Sequence, residues 1–129
     1  MTSPVPDAPD QTRVLIAGGG IAGLATAIGL ARVGHRVVVM ERAAAFEEVG
    51  AGIQLSPNAC HALLSLGALD RVMAKAVTPQ ALSVRSLGTG PELVGVPIAG
   101  SIDRKYGAPY VLAHRADLLQ ALVETALDL

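Results

Sequence analysis

Residues 13–41 read RVLIAGGGIAGLATAIGLARVGHRVVVME, and the order of residue types in them sets the fold class. Arg13 to Ala17 is a short apolar run that ends at three glycines, the pattern of a buried strand. From Ile21 the period changes. Ile21, Leu24, Ala25 and Ile28 recur at i, i+3, i+4 and i+7, one stripe of a helix, and Gly34 is placed to stop it. Arg36 to Met40 is a second buried strand, closed by Glu41. Strand, glycine turn, helix and strand in this order predict an α/β chain built on a β-α-β unit, with parallel strands and a right-handed crossover.

Within that unit, Gly18-x-Gly20-x-x-Gly23 lies between the first strand and the helix. Gly18 permits the tight turn, Gly20 lets a pyrophosphate approach the backbone, and Gly23 lets helix and strand pack closely. The helix start turns the N–H groups of Ile21 and Ala22, with the positive end of the helix dipole, towards the phosphates. Glu41 ends the second strand, where a carboxylate can accept hydrogen bonds from both hydroxyls of an adenosine ribose. The same carboxylate would repel a 2′-phosphate. The spacing therefore points to a Rossmann-like fold and a dinucleotide with a free ribose, FAD or NAD.

The 129 residues carry 10 Lys+Arg against 11 Asp+Glu, which leaves no basic footprint for nucleic acid or acidic membranes. With 51% hydrophobic and 16% charged residues, disorder by composition is excluded, and the length suits one domain. Phe46, Tyr106 and Tyr110 are the only aromatics, so the apolar content rests on Ala, Val, Leu and Ile, as packed β-α-β layers require. Val14 to Ala31 is uncharged and near the length of a membrane span, but glycines interrupt it, three of them consecutive. Asp7 and Asp10 stand where a secretory signal needs basic residues. Cys60 is the single cysteine, expected as a small buried hydrophobe in a reducing, cytoplasmic compartment. His35, His61 and His114 lack metal-site spacing and are expected to be structural or solvated. Glu47 and Glu48 read as a solvated loop rather than a general acid/base pair.

Past Glu41 the chain loosens into Gly50–Ala51–Gly52, followed by a brief extended piece, Ile53–Gln54–Leu55. Ser56–Pro57 predicts a helix start, with Ser as N-cap, and Gly67 its end after Leu66. A second helical segment follows with Leu69, Val72 and Met73 inward. Residues 82–87 and 92–98 suit a hairpin around Gly88–Thr89–Gly90–Pro91, and residues 99–109 read as loop. Tyr110 to Ala113 is another short strand, giving three recognisable strands for a parallel sheet. Ala116 to Leu127 is a helix with Leu118, Leu119, Leu122 and Ala126 on one side.

The string VLIAGGGIAGLATAIGLARVGHRVVVMER, with EEVGAGIQLSPNA and YVLAHRADLLQAL after it, resembles the N-terminal part of FAD-dependent aromatic hydroxylases. These are the single-component flavoprotein monooxygenases typified by para-hydroxybenzoate hydroxylase, and the salicylate hydroxylase and 3-hydroxybenzoate 6-hydroxylase branch is the most similar. The resemblance implies FAD, with Gly18, Gly20 and Gly23 around its pyrophosphate, Glu41 on the adenosine ribose and Arg42 beside the adenine. It brings the GAGIQL stretch near the flavin, with Gln54 as a polar contact. Arg115 matches the family arginine that reaches towards the cofactor, and a fixed guanidinium at a helix start can hold phosphate or ribose oxygens bidentately. The intact enzyme would use NADH or NADPH to reduce FAD and would place one oxygen atom on a phenolic or other aromatic carboxylate.

The resemblance also implies a later Asp-Gly and a later Gly-Asp segment, which do not occur before Leu129. The chain thus reads as about the first third of such an enzyme, a cofactor-binding piece that is inactive alone and holds no catalytic residue. Residues 1–11 would be a flexible leader, 12–81 and 99–129 part of the FAD domain, and 82–98 the first hairpin of an inserted substrate domain. Two other readings stay open. An NAD-binding dehydrogenase module requires a prompt third parallel strand after Glu41, and a non-enzymatic fragment would use Val14–Ala31 as an anchor.

Overall fold

The computed structural model describes residues 13–44, 51–88 and 90–129; the expected leader and Phe46, Glu47, Glu48 and Gly50 lie outside the described residues. Strand β1 (Arg13–Ala17) and strand β2 (Arg36–Met40) pair in parallel, Leu15 opposite Val38, and helix α1 (Ile21–Arg32) joins them. β-Branched residues fit this pleated surface, and they alternate. Val14, Ile16, Val37 and Val39 are half-buried, while Leu15, Val38 and Met40 on the opposite face are exposed. α1 stops where expected. Gly34 takes a φ of 90°, which glycine adopts without strain. Its buried stripe is Leu24, Ala27 and Ile28, with the expected Ile21 and Ala25 only half-buried.

Strand β3 (Gly52–Leu55) leads into α2 (Pro57–Leu66) and α3 (Leu69–Met73). Pro57 occupies the first turn of α2, where its missing N–H costs nothing, and Gly67 closes the helix at a φ of 73°. Ser56 stands at the N-cap as expected, but its side chain makes no capping hydrogen bond. Strands β4 (Ala81–Arg85) and β5 (Glu92–Pro97) form an antiparallel hairpin that is exposed along its whole length. Its two ends are clasped together, since the Gln80 carbonyl accepts from Ile98 N–H at 2.9 Å and from Ala99 N–H at 3.2 Å. Helix α4 (Ile102–Tyr106), strand β6 (Val111–His114) and helix α5 (Arg115–Leu127) complete the chain.

Two expectations are corrected. Residues 99–109 are not all loop, because α4 turns within them between Ser101 and a Gly107 at a φ of 70°. The parallel sheet has two strands among the described residues rather than three. β6 runs antiparallel to β3, with Gly52 opposite His114 and Leu55 opposite Val111, in a separate ribbon.

The core lies between these parts. Ile28, Cys60, Val72, Val111 and Leu122 are its largest fully buried side chains. α5 packs on α1 and also on α3, so Ala121 and Thr125 are buried beside the expected Leu118, Leu119 and Leu122. The Thr125 hydroxyl is satisfied by donating to the Ala121 carbonyl at 2.7 Å. At the rim, Arg71 of α3 pairs with Glu124 of α5 and with Asp128 just past its end, and Lys75 with Asp117 at 2.8 Å. Exposed pairs of this kind add little each; apolar burial carries the packing. No helix among the described residues is long and apolar enough to cross a membrane.

Candidate functional site

The site forms where β1 ends. Gly18 has a φ of 103°, in the left-handed region, so the chain leaves the strand in a turn that a side chain would strain. Its N–H donates to the Met40 carbonyl at 2.7 Å, carrying the pairing of β1 with β2 one step past the strand. Gly20 is the N-cap of α1 with extended backbone, and its carbonyl accepts from Leu24 N–H at 2.9 Å. No side chain caps this helix. The N–H groups of Ile21, Ala22 and Gly23 have no partners within a helix by construction, and the dipole's positive end adds to them.

The three glycines differ in what they make room for. A Cβ on Gly23 would lie 2.0 Å from the Gly18 carbonyl oxygen and 3.1 Å from its carbon, so the helix approaches the loop more closely than any side chain allows. A Cβ on Gly20 would meet nothing within 4 Å. The first is a packing glycine; the second fronts open space above a helix start, which is the room a pyrophosphate needs.

Glu41 stands beside this loop. Its Oε1 accepts from Ala43 N–H at 2.8 Å and its Oε2 from Gly19 N–H at 2.6 Å. These donors, Ala43 first and Gly19 next, hold its carboxyl below the usual carboxylate range although the side chain is exposed. A carboxylate has about four lone-pair positions. Two are used here, and the remaining acceptor capacity is open to ribose hydroxyls. The link from Glu41 to Gly19 was not visible in the sequence, where Gly19 is only the variable position between Gly18 and Gly20. Arg42 follows on the exposed side.

The other expected contacts sit on the β3–β6 ribbon. Ile53, Leu55, Val111 and Ala113 turn one face of the ribbon inward; Gly52, Gln54, Leu112 and His114 form the exposed face. Arg115 opens α5, and its backbone N–H donates to the Ala51 carbonyl at 3.0 Å. The fold thus brings Gly18, Gly19, Gly20, Gly23 and Glu41 into one cluster, while Gln54 lies on β3 opposite Leu112 and Arg115 follows β6 beside Ala51. α5, which Arg115 opens, packs on α1. His61 lies elsewhere, its Nε2 bonded to the Tyr106 carbonyl at 2.8 Å, a structural tie between α2 and α4. Cys60 is fully buried, and burial pushes its thiol pKa up, away from reactivity.

The residues present fit a dinucleotide: a glycine turn, an uncapped helix start with open space before it, and an acceptor for ribose. The profile of a family described as FAD binding domain matches residues 11–127. The chain is 45% identical over 114 residues to 3-hydroxybenzoate 6-hydroxylase 1 of Aquipseudomonas alcaligenes, covering 88% of this chain and 29% of that protein. It is 40% identical over 114 residues to the 3-amino-4-hydroxybenzoate 2-monooxygenase PtnB3 of Streptomyces platensis, with the same coverage of 88% and 29%. Among solved structures, it superposes on 2-methyl-3-hydroxypyridine-5-carboxylic acid oxygenase with a TM-score of 0.79 and 31% identity, over 92% of this chain and 30% of that one. The flavin-dependent monooxygenase PieE, solved with FAD and substrate, gives a TM-score of 0.71 at 28% identity over 94% and 23%. The chain therefore spans about 30% of the length of the relatives it matches.

Proposed function

Because the chain belongs to the FAD-binding domain family, we propose that its glycine loop and Glu41 hold FAD for a flavoprotein monooxygenase that uses NADH or NADPH and oxygen. The substrate class we propose is a phenolic or other aromatic carboxylate, a class that the names of these two relatives share. The observation that carries the reading is the division of labour among the glycines. Gly23 is closed against Gly18, and Gly20 stays open over the start of α1.

In this reading the α1 N–H groups of Ile21, Ala22 and Gly23 bind the pyrophosphate, Glu41 accepts from the adenosine ribose, and Arg42 lies along the adenine. Gln54, on the exposed face of β3, and Arg115, at the start of α5, contact the cofactor from the second ribbon. FAD supplies the redox and oxygen chemistry when bound; this chain's residues supply position and charge. The hairpin of β4 and β5 begins a substrate domain. The clasp at Gln80 supports this, because the hairpin leaves and rejoins the FAD domain at one point. Residues 1–129 alone then bind cofactor without turning over substrate. The NAD-dehydrogenase reading is less well supported, since β3 pairs antiparallel with β6 instead of extending the parallel sheet.

The test is a titration of the purified chain with FAD, followed by quenching of flavin fluorescence. Saturable binding with little competition from NAD is expected. Equal competition by NAD, or no saturation with FAD by folded chain, would overturn the assignment.

A further inference from the structure

Gly19 is buried, and a buried backbone N–H needs a partner. The last β1–β2 hydrogen bond is at Gly18, whose N–H reaches the Met40 carbonyl at 2.7 Å. One residue later, Oε2 of the Glu41 side chain accepts from Gly19 N–H at 2.6 Å, in place of a backbone carbonyl. Oε1 accepts from Ala43 N–H at 2.8 Å, so the carboxylate is fixed at both ends. We propose that Glu41 is a positioning residue for the glycine loop: its side chain ties Gly19, just past the last strand hydrogen bond, to the end of β2 and sets the loop before any ligand arrives.

This role rests on the FAD reading for its consequence in binding, but not for its cause. A residue that only accepted from ribose hydroxyls would leave the loop unchanged when removed. A residue that holds Gly19 affects every ligand whose phosphates meet the loop, with or without a ribose hydroxyl. Removing Glu41 leaves Gly19 N–H buried without its acceptor, and the next partner available to it is water. The backbone must then rotate outward at the turn where Gly18 already holds a φ of 103°. The low carboxylate pKa fits the same arrangement, because the two N–H donors favour the charged form.

Two measurements test it. The first is amide hydrogen exchange at Gly19 in the ligand-free chain, wild type against Glu41→Ala. Loss of a hydrogen bond to a charged acceptor should speed exchange there by about tenfold or more, with Leu24 and Ile28 unchanged. The second compares FAD with an FAD analogue whose adenosine ribose lacks both hydroxyls. Glu41→Ala should weaken binding of the analogue as well as of FAD. Unchanged exchange at Gly19, or equal affinity of wild type and variant for the analogue, overturns the positioning role. If Glu41→Ala does not fold, Glu41→Gln makes the same comparison, with one acceptor oxygen left for two N–H donors. Failure of wild type to bind FAD would instead refute the FAD reading, and the exchange result would still decide the role of Glu41.

Discussion

Replacing Gly23 by alanine adds one methyl group at the closest approach of any described glycine. Its Cβ would stand 2.0 Å from the Gly18 carbonyl oxygen, 3.1 Å from the carbonyl carbon and 3.4 Å from Cγ2 of Ile16. A carbon meets a carbonyl oxygen comfortably at about 3.3 Å. The start of α1 must therefore withdraw from the loop by roughly 1.3 Å, and the obstacle is backbone that cannot rotate away. Overpacking of this kind costs about 1–3 kcal/mol, and the better helix propensity of alanine returns about 1 kcal/mol. The expected net loss is up to about 2 kcal/mol, or on the order of 8 °C in Tm. Binding should suffer as well, because the same displacement moves the helix N–H groups relative to the loop.

Gly29, in the same helix, is the control. A Cβ there would meet only Cδ2 of Leu66, at 3.9 Å, which is ordinary contact. Gly29→Ala should be neutral or stabilise by up to about 1 kcal/mol. Thermal unfolding and FAD titration of the two variants, side by side, decide the matter. A Gly23→Ala chain with the Tm and FAD affinity of Gly29→Ala would refute the close-approach argument.

Other outcomes follow from other parts of the fold. Leu122→Ala should lose about 2–5 kcal/mol in urea unfolding, because the side chain is fully buried between helices. Cys60 should react with a thiol reagent only as fast as the chain unfolds, since burial both shields the sulfur and raises its pKa; a fast reaction in native buffer would place it elsewhere. Gly67→Ala should cost about 1–2 kcal/mol for its left-handed backbone, and adding Arg32→Ala should not restore the loss, although Arg32 is what a Cβ there would touch. Glu41 has a pKa lowered by folding, so its stabilisation is present above the ordinary glutamate value and lost as the pH falls through the folded one. The Tm advantage of wild type over Glu41→Gln should hold above about pH 4.3 and shrink below it; an advantage that grew on acidification would refute the sign.

Local constraints were legible in the sequence and long-range ones were not. Each glycine of the loop answers to atoms a few residues away, so its spacing alone announced the turn. The stops at Gly34 and Gly67 were equally local, as was the start at Pro57. The antiparallel pairing of β3 with β6 joins Gly52 to His114, and no local periodicity reports a partner so distant. α4 escaped notice because a turn of five residues shows no stripe. The expected stripe of α5 did not include Ala121 and Thr125, because α5 is covered from two sides, which widens its buried face beyond one stripe. At the site, residue types pointed to Glu41 and the glycines. The bond from Glu41 to Gly19 depends on a side-chain rotamer, which spacing does not encode.

The packing of α5 on α1 also has a temporal side. The β1–α1–β2 segment is synthesised well before α5, the helix that covers Leu24 and Ile28. At about 5–20 residues per second, the early segment waits roughly 4–20 s with that apolar stripe uncovered. Contacts closed over so long a separation also fold slowly, because the chain must lose much entropy before they form. The nascent chain is therefore most open to misassociation before α5 emerges, and slower translation lengthens that interval in proportion.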